Sequence, residues 1–470
     1  MHCRRLAEFA RFTLVLLLLG AAPAFAPIAF AGSDDASADW QALRIDDHLP
    51  ERFSLSVEHR ARYEFLSDEF RRGTRGDREI AVLRTLVDGR VRLFDGLWLG
   101  AELQDSRAVV NGDTVLNTTI VNSVELLRAY LEFQHDDVLG GKLKAQAGRI
   151  TMDLGSRRFV SRNRYRNTIN GFTGFDLQWN ADSGTELRGF WTMPQRRRST
   201  RRDKLRDNAV QIDKEDLDLQ FWGVSASSEL SGIGTGEVFL LGLHERDERG
   251  RNTRRRQLYT PGFRLFRKPA TGKIDYTIET AIQVGRSRLG TSGGRLDHLA
   301  HFHHIEVGYR FDAPWSPRVV LQYDYASGDD DPNDSNNNRF DTLFGARRFD
   351  YGPTGIYGPI ARSNVHTPGL RLQVKPGKHV TSFVAVRSFW LADKRDAWTT
   401  SGGLRDTTGS SGDYLGSQIE VRIRWNVLPG NLKLEAGYAH LFDGEFIDNV
   451  PQSSKPGDLS YAYTQIVLAL

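Results

Sequence analysis

The stretch that decides the fold is residues 56–65, Ser-Val-Glu-His-Arg-Ala-Arg-Tyr-Glu-Phe, in which apolar and charged side chains alternate. Val57, Ala61 and Tyr63 share one face with His59 and Phe65, and the opposite face carries Glu58, Arg60, Arg62 and Glu64. Successive side chains of a β-strand point to opposite sides of the sheet. The stretch therefore predicts a strand with one largely apolar face and one charged face.

The same alternation recurs along the chain, for example in residues 83–93, 274–284, 419–425 and 432–438. Segments of about ten residues are long enough for a tilted strand to cross the hydrocarbon layer of a membrane. Short connections are predicted at 94–96, 314–317, 375–377 and 428–430, and long polar ones at 66–79, 195–216, 328–365 and 391–416. Short turns that alternate with long loops are typical of outer-membrane barrels.

The predicted fold is therefore all-β: a transmembrane antiparallel β-barrel of about 18 strands, with short periplasmic turns and long extracellular loops. The alternative is a soluble sandwich or propeller, whose strands usually span only about 5–6 residues. Aromatic residues near the predicted strand ends favour the barrel, because such residues form girdles at the membrane interfaces. They are Trp98, Tyr130, Trp179, Trp191, Tyr309, Tyr323, Tyr325, Trp390, Trp425 and Tyr438.

The composition agrees with a barrel around a wet lumen. Hydrophobic residues make up only 39% of the 470 residues and charged residues 26%. Half-apolar strands produce such values without a buried protein core. The 63 basic and 59 acidic residues are nearly balanced, so there is no basic excess of the kind that nucleic-acid binding needs.

Residues 1–31 are predicted to be a cleaved signal peptide. Arg4, Arg5 and Arg11 precede an apolar run over 12–22, and Ala29-Phe30-Ala31 is a suitable cleavage site. A short membrane anchor is the alternative. Residues 32–52 are predicted to form a short periplasmic segment and residues 53–470 the barrel, which localises the protein to the bacterial outer membrane. The lone cysteine, Cys3, lies in the signal, so no disulfide is expected.

Alternation also predicts which charges face the lumen. The predicted inward cations are Arg60, Arg62, Arg84, Arg90, Arg92, Arg128, Lys144, Arg188, Arg264, Arg310, Arg371, Lys375, Arg422, Arg424 and Lys433. The predicted inward acids are Glu58, Glu64, Asp88, Glu102, Glu132, Glu186, Asp275, Glu279, Glu306, Asp324, Glu420 and Glu435. Two interpretations stay open and are compatible: Arg and Glu pair across neighbouring strands and stiffen the wall, or unpaired Arg forms an anion-selective constriction.

Other candidate sites have weaker support. The basic runs 195–206 and 251–256 are predicted to meet lipopolysaccharide phosphates or to gather an anionic substrate, rather than nucleic acid. Asp329, Asp331 and Asn333 are candidate calcium ligands, but the segment lacks the glycine and final glutamate of an EF-hand. Neither a complete zinc set among His298, His301, His303 and His304 nor a catalytic motif is apparent. No cofactor is therefore expected, and the protein is predicted not to be an enzyme, with a hydrolase at the barrel rim as a remote alternative.

Several segments together resemble the alginate-export family of outer-membrane barrels. They are Leu-Gln-Tyr-Asp-Tyr-Ala-Ser-Gly-Asp at 321–329, Arg-Phe-Asp-Thr-Leu-Phe-Gly at 339–345, Arg-Ser-Phe-Trp-Leu-Ala-Asp at 387–393, Tyr-Leu-Gly-Ser-Gln-Ile-Glu at 414–420 and Leu-Glu-Ala-Gly-Tyr-Ala at 434–439. Upstream, Gly148-Arg149-Ile150 and 172–174 (Phe-Thr-Gly) depart from the family's Gly-Arg-Gln and Phe-Asp-Gly. The resemblance spans roughly residues 50 to 470 and implies a monomeric barrel with a basic lumen that conducts a polyuronate.

We therefore expect an outer-membrane channel for an anionic polysaccharide such as alginate, or for a related anionic solute. The alternative is an uptake porin for small anionic or polar solutes. Expected partners are these solutes, outer-membrane lipid and lipopolysaccharide, with periplasmic secretion components as further candidates. Arg128, Arg149 and Arg158 are the first candidates for substrate contact, followed by Arg90, Arg92, Arg422 and Arg424.

Overall fold

The chain forms one closed antiparallel sheet. The computed structural model describes residues 40–110, 116–198, 200–248, 250–331 and 333–470. Its sheet has 19 strands, of which the two-residue strand Asn336–Asn337 is an addition beside the barrel wall. The other 18 pair with their neighbours in chain order, and the last strand returns to the first, with Glu58 opposite Ala469. Closure leaves no strand edge unpaired, which a membrane-spanning sheet requires.

The strands are β1 (Phe53–Leu66), β2 (Arg78–Phe94), β3 (Leu97–Val110), β4 (Asn122–His135), β5 (Gly141–Ile150), β6 (Phe172–Ala181), β7 (Glu186–Pro194), β8 (Leu219–Leu230), β9 (Gly234–Glu245), β10 (Gln257–Arg267), β11 (Ile274–Ser287), β12 (Leu296–Arg310), β13 (Arg318–Ala326), β14 (Asn336–Asn337), β15 (Val365–Gly377), β16 (Val380–Trp390), β17 (Tyr414–Leu428), β18 (Leu432–Asp443) and β19 (Leu459–Ala469). Among the described residues, three short helices lie in connections: α1 (Arg202–Arg206), α2 (Arg348–Tyr351) and α3 (Glu445–Asn449). Two 3₁₀ turns in the same ranges cover Ile45–His48 and Thr399–Ser401. None of the helices in the described ranges is both long and apolar enough to span a membrane.

The connections confirm the predicted layout. Short turns join the strands at one end, as at 95–96, 182–185, 378–379 and 429–431. Long loops join them at the other end, as at 151–171, 195–218, 327–364 and 391–413. We call these the short-turn end and the long-loop end.

Strand β3 shows how the predicted alternation maps onto the barrel. Leu99, Leu103 and Val109 are 46%, 50% and 62% exposed on the outside, whereas Gln104 and Ser106 are buried on the inside. Large apolar side chains stay exposed on most strands and form the belt that lipid covers.

The girdle prediction is wrong for two of its ten aromatic residues. Trp98 and Tyr130 point into the lumen, because their cross-strand partners Glu132 and Gly100 lie on the inward face. The ring of Tyr130 lies over Gly100, where a Cβ would collide with it. The alternation of β3 already places Trp98 on the same side as Glu102, so strand position alone was a misleading guide.

The predicted signal peptide lies outside the described residues. The segment from Trp40 onward lies against the short-turn end: Trp40 Nε1 and the Leu43 backbone N–H both donate to Asn431 Oδ1, at 3.2 and 2.8 Å. Asn431 lies in the turn between β17 and β18, so the approach to β1 is attached to this turn.

Candidate functional site

Two long connections fold into the lumen. The first, the β5–β6 loop (residues 151–171), is bound to the inner wall by inward-facing arginines. Arg60 donates to Arg164 O at 2.9 Å and to Asn167 Oδ1 at 3.0 Å. Arg84 also donates to Arg164 O, at 2.9 Å, and is buried like Arg60. Both arginines face inward as predicted, but they hold protein rather than line open water.

The second connection, the β13–β15 loop (residues 327–364), contacts the wall at several points. Tyr357 is fully buried and its hydroxyl donates to Gln418 Oε1 at 2.7 Å. The Ile356 backbone N–H donates to Glu64 Oε2 at 3.0 Å. Wall residues that the alternation predicts to be lumen-facing thus serve as anchors for a loop.

Arg158 joins the two loops to each other and to the wall. Its guanidinium lies 2.8 Å from Glu279 Oε2 on β11 and 2.8 Å from Asp350 Oδ1 in the β13–β15 loop. Arg362 binds the other oxygen of Asp350 at 2.6 Å and donates to Arg158 O at 2.8 Å. Burial alone would raise the pKa of Asp350, but Arg158 and Arg362 hold it below its ordinary value. The junction is a buried and largely neutralised network, so Arg158 is placed inside the barrel but is already occupied.

The same network contains the one grouping in the described ranges with metal-like spacing. Ligand atoms of His304, Asp324 and Asp350 lie within 4.8 Å of one another. Arg158 Nη2 lies 2.8 Å from His304 Nε2, and Arg387 Nη1 lies 2.6 Å from Asp324 Oδ2. A metal cation there would replace hydrogen-bonded guanidinium groups, so the donor set suits ion pairing rather than metal binding.

The candidate calcium ligands do not act together in the structure. Asp329 is buried and its Oδ1 accepts a hydrogen bond from the Asn338 backbone N–H at 3.2 Å. Asp331 Oδ1 accepts one from the Asn333 backbone N–H at 3.0 Å, as in an ordinary turn. Calcium binding by Asp329, Asp331 and Asn333 stays a prediction that this geometry does not favour.

Most of the remaining candidate arginines face the lumen. Arg128 lies opposite Glu102 and binds Asp88 Oδ2 at 2.9 Å. Arg424 binds Glu435 Oε2 at 2.6 Å. Arg90, Arg92 and Arg422 also lie on inward positions of β2 and β17. Their contact with a substrate stays a prediction.

Arg149 does not lie on the lumen face. It shares its face of β5 with Leu143 and Ala147, and its cross-strand partners are Ala129 and Thr173. Its guanidinium binds Glu125 Oε1 at 2.7 Å and Glu215 Oε2 at 2.8 Å. The lumen position of Arg149 was inferred from a motif, whereas the alternation of β5 assigns its backbone position to the other face; contact of Arg149 with a substrate stays a prediction.

Carboxylates on the lumen face are neutralised almost throughout. Eleven of the twelve predicted inward acids have an arginine or lysine partner within ion-pair distance, and Glu186, exposed beside a short turn, is the one without such a partner among the described residues. The wall-pairing interpretation therefore holds for the acids.

Some of the lumen-facing cations take no part in this pairing. Within the described part of the chain, Arg90, Arg92, Arg310, Arg371 and Arg422 face the lumen without a carboxylate partner. Arg371 and Arg422 lie over the Phe383 ring, 5.1 and 4.6 Å from its centroid. Arg90 and Arg92 lie 4.9 and 5.7 Å from the Trp98 ring. The aromatic rings hold these guanidinium groups in place while leaving their charge uncompensated.

Sequence reasoning missed a second set of buried cations in the loops. Arg166, Arg197 and Arg347 were not among the candidates, and Arg197 belongs to a run predicted to face lipopolysaccharide. In the structure Arg197 donates to Ile169 O and Asn170 Oδ1, both at 2.8 Å. Loops have no periodicity that assigns a direction to a side chain, so only the position of Arg166 between the family segments at 148–150 and 172–174 could have been a signal.

A closed 18-strand barrel with an apolar exterior and a charged lumen crossed by inserted loops defines a channel of the bacterial outer membrane. Residues 51–457 match the family described as Alginate export, and the chain belongs to this family. The family and the porin-like fold point to transport rather than catalysis.

Solved structures with the same fold include proteins of Pseudomonas aeruginosa. The chain is similar to OccK9 (OpdG), with 14% identity, a TM-score of 0.56, and 89% of this chain and 98% of that chain covered. For OprD the identity is 13%, the TM-score 0.54, and the coverage 92% and 96%. For OpdO the identity is 14%, the TM-score 0.54, and the coverage 90% and 98%. No curated protein matches the chain.

Proposed function

We propose that this barrel is an anion-selective channel that conducts a polyuronate such as alginate, or a related anionic solute, through its arginine-bearing lumen. The observation that supports it best is the unequal use of charges on the inner wall. Eleven of twelve predicted inward acids are paired, whereas Arg90, Arg92, Arg310, Arg371 and Arg422 have no carboxylate partner among the described residues.

Physical reasons connect this charge pattern to anions. In a confined lumen the field of unpaired cations is less screened than in bulk water, so it raises the local concentration of anions. A guanidinium also binds a carboxylate through two parallel hydrogen bonds. A polymer with one carboxylate per sugar would exchange these contacts one unit at a time, so no single contact would have to be strong.

Small anionic solutes are the second candidate cargo, and the inserted loops favour them. The β5–β6 and β13–β15 loops both occupy the inside of the barrel. They narrow the passage, so a polymer would have to pass as a single extended chain. The two candidate cargoes can be distinguished by whether added polymer blocks the current through the channel.

Reversal potentials in planar bilayers test the anion selectivity. Under a KCl gradient we expect chloride to permeate several-fold better than potassium. The double variant Arg371→Gln plus Arg422→Gln should lower the permeability ratio at least two-fold, because it removes two unpaired lumen charges. Arg286→Gln is the matched control, since Arg286 lies on the outer face in an exposed pair with Asp297.

The outcomes separate the possibilities. Cation preference in the unaltered channel, or an unchanged ratio in the double variant, would contradict the proposal. Added polyuronate that blocks the current at sub-millimolar concentration, with less block in the double variant, would identify the polymer as cargo. Indifference to polymer together with passage of glucuronate would identify small anions instead.

A further inference from the structure

A cavity lies where the two inserted loops meet the end of strand β7. Its volume is about 180 Å³, and it is lined by Arg166, Asn170, Gln195, Arg197, Thr342 and Phe344, among others. Arg166 and Asn170 belong to the β5–β6 loop, and Thr342 and Phe344 to the β13–β15 loop. The cavity is therefore a joint between the two loops, separate from the unpaired wall arginines of the lumen.

The cationic side chains of the cavity are poorly compensated. The Arg166 guanidinium makes no hydrogen bond or ion pair with any residue in the described part of the chain. Arg197 uses one nitrogen for Ile169 O and Asn170 Oδ1. Burial, together with Arg197 nearby, lowers the pKa of Arg166 to about 10.

A third guanidinium, that of Arg347, lies near Arg166. Burial lowers the pKa of Arg347 to about 9, with Arg166, Arg71 and Arg362 as neighbouring cations. Its strongest contact is a long hydrogen bond to Gly358 O, at 3.4 Å. Because buried charges without counter-charges are costly, this arrangement favours a bound anion.

A neutral donor also belongs to the lining of this cavity. Gln195 Nε2 is buried and has no hydrogen-bond partner among the described residues. The Gln195 side chain lies in the space that a Cβ on Gly171 would need, so glycine at 171 permits its position. Two guanidinium groups and one unpaired amide N–H therefore surround a cavity that holds roughly six waters at about 30 Å³ each. One sugar ring or one inorganic oxyanion has a comparable size.

We propose that this cavity binds a single oxyanion and thereby holds the two inserted loops together. The ligand is a carboxylate of a sugar acid or a small inorganic oxyanion such as phosphate, since both accept charge-assisted hydrogen bonds from guanidinium groups. The sugar-acid source rests on the proposed function, whereas the oxyanion chemistry does not. A cargo carboxylate that occupies the cavity would stiffen the loops, which makes loop position dependent on cargo.

Calorimetric titration of the purified full-length barrel in detergent tests the proposal. The probes are sodium glucuronate and sodium phosphate, with glucose as the neutral control. We expect one oxyanion to bind per barrel and glucose not to bind. Arg166→Gln should weaken the binding at least ten-fold, and Gly171→Ala should weaken it several-fold without changing any charge, because it displaces Gln195. Arg286→Gln, on the outer face in an exposed pair with Asp297, should bind as the unaltered protein does.

A second measurement guards against variants that merely fold poorly. Saturating anion should raise the melting temperature of the unaltered barrel, because a ligand that binds only the folded state stabilises it. Arg166→Gln should be at least as stable without anion, because a buried cation is removed, and should gain nothing from anion.

The results of these experiments distinguish the two anion sources and can also contradict the proposed site. If either anion binds and Arg166→Gln abolishes binding, the site is supported. The anion that binds with the higher affinity then identifies the source of the ligand. Binding of neither anion, equal binding of glucose, or unchanged binding in Arg166→Gln would overturn it. An anion-selective channel that binds neither probe would overturn this inference alone, whereas an unselective channel with a functioning cavity would overturn only the proposed function.

Discussion

At the residue scale, neighbouring charges decide what each buried group does. Asp329 lies at the start of the β13–β15 loop, where Asp396 binds its backbone N–H through Oδ2 at 3.0 Å. Burial and the charge of Asp396 raise the pKa of Asp329 from its ordinary 3.8 to about 6, against the opposing effect of Arg339 and Arg405. Two carboxylates thus share one buried site in a loop that reaches the lumen.

This arrangement predicts a pH-dependent loop. Because the folded-state pKa of Asp329 is raised, its contribution to stability is fully present below about pH 4 and is lost as the pH rises through about 6. Hydrogen exchange around Asn338, corrected for intrinsic rates, should therefore show less protection at pH 7 than at pH 5. Asp329→Asn should remove most of this pH dependence, and Asp334→Asn, exposed in the same loop, should leave it. A pH-independent protection in the unaltered protein would contradict the assignment.

At the element scale, a glycine on one strand of the wall faces an aromatic ring on the neighbouring strand at several positions. Tyr463 on β19 lies directly opposite Gly437 on β18, and a Cβ there would collide with the ring. The Tyr463 hydroxyl donates to Glu435 Oε1 at 2.7 Å. Gly100 and Tyr130 repeat the pattern across β3 and β4. Glycine in these strands therefore provides room for a lumen-facing ring on the neighbouring strand.

Gly437→Ala should consequently destabilise the barrel by roughly 1–3 kcal/mol, the usual cost of overpacking. The ring must move, and its hydrogen bond to Glu435 is lost. The measurement is urea unfolding in lipid vesicles. Gly189→Ala is the matched control, since its new methyl group would meet only Val224, at 3.9 Å. Equal unfolding free energies for the two variants would refute this account of the glycines.

At the scale of the whole molecule, the lumen is a charged tube closed in part by its own loops. Arg158 is the residue where both loops and the wall meet, through Asp350 and Glu279. Removing one partner of a buried ion-pair network usually costs about 3–5 kcal/mol, because charges stay buried without compensation.

Arg158→Gln should therefore loosen the loops and raise the single-channel conductance in KCl, with more current noise. Arg149→Gln also removes an ion-paired arginine, but from the face of β5 opposite the lumen, so the conductance should stay unchanged. Equal effects of the two substitutions would show that the Arg158 junction does not hold the passage narrow.

The alternation of side chains by itself determined the barrel, its approximate strand number and the orientation of most lumen charges. That information is local, since the pleat of a strand sends neighbouring side chains to opposite faces. It also contained the correct face for Trp98, which was misassigned when strand position was followed instead, and it assigns Arg149 to the face of β5 opposite the one that the motif suggested.

Only the tertiary structure decided which charges remain unpaired. Arg158 and Asp350 are 192 residues apart, and Arg60 meets the β5–β6 loop 104 residues further along the chain. Such contacts exist only after the sheet has closed and the loops have folded inward. The side chains of loops follow no period that predicts their direction. Arg166, Arg197 and the cavity that they line could therefore be found only from the packing of the two loops against the wall.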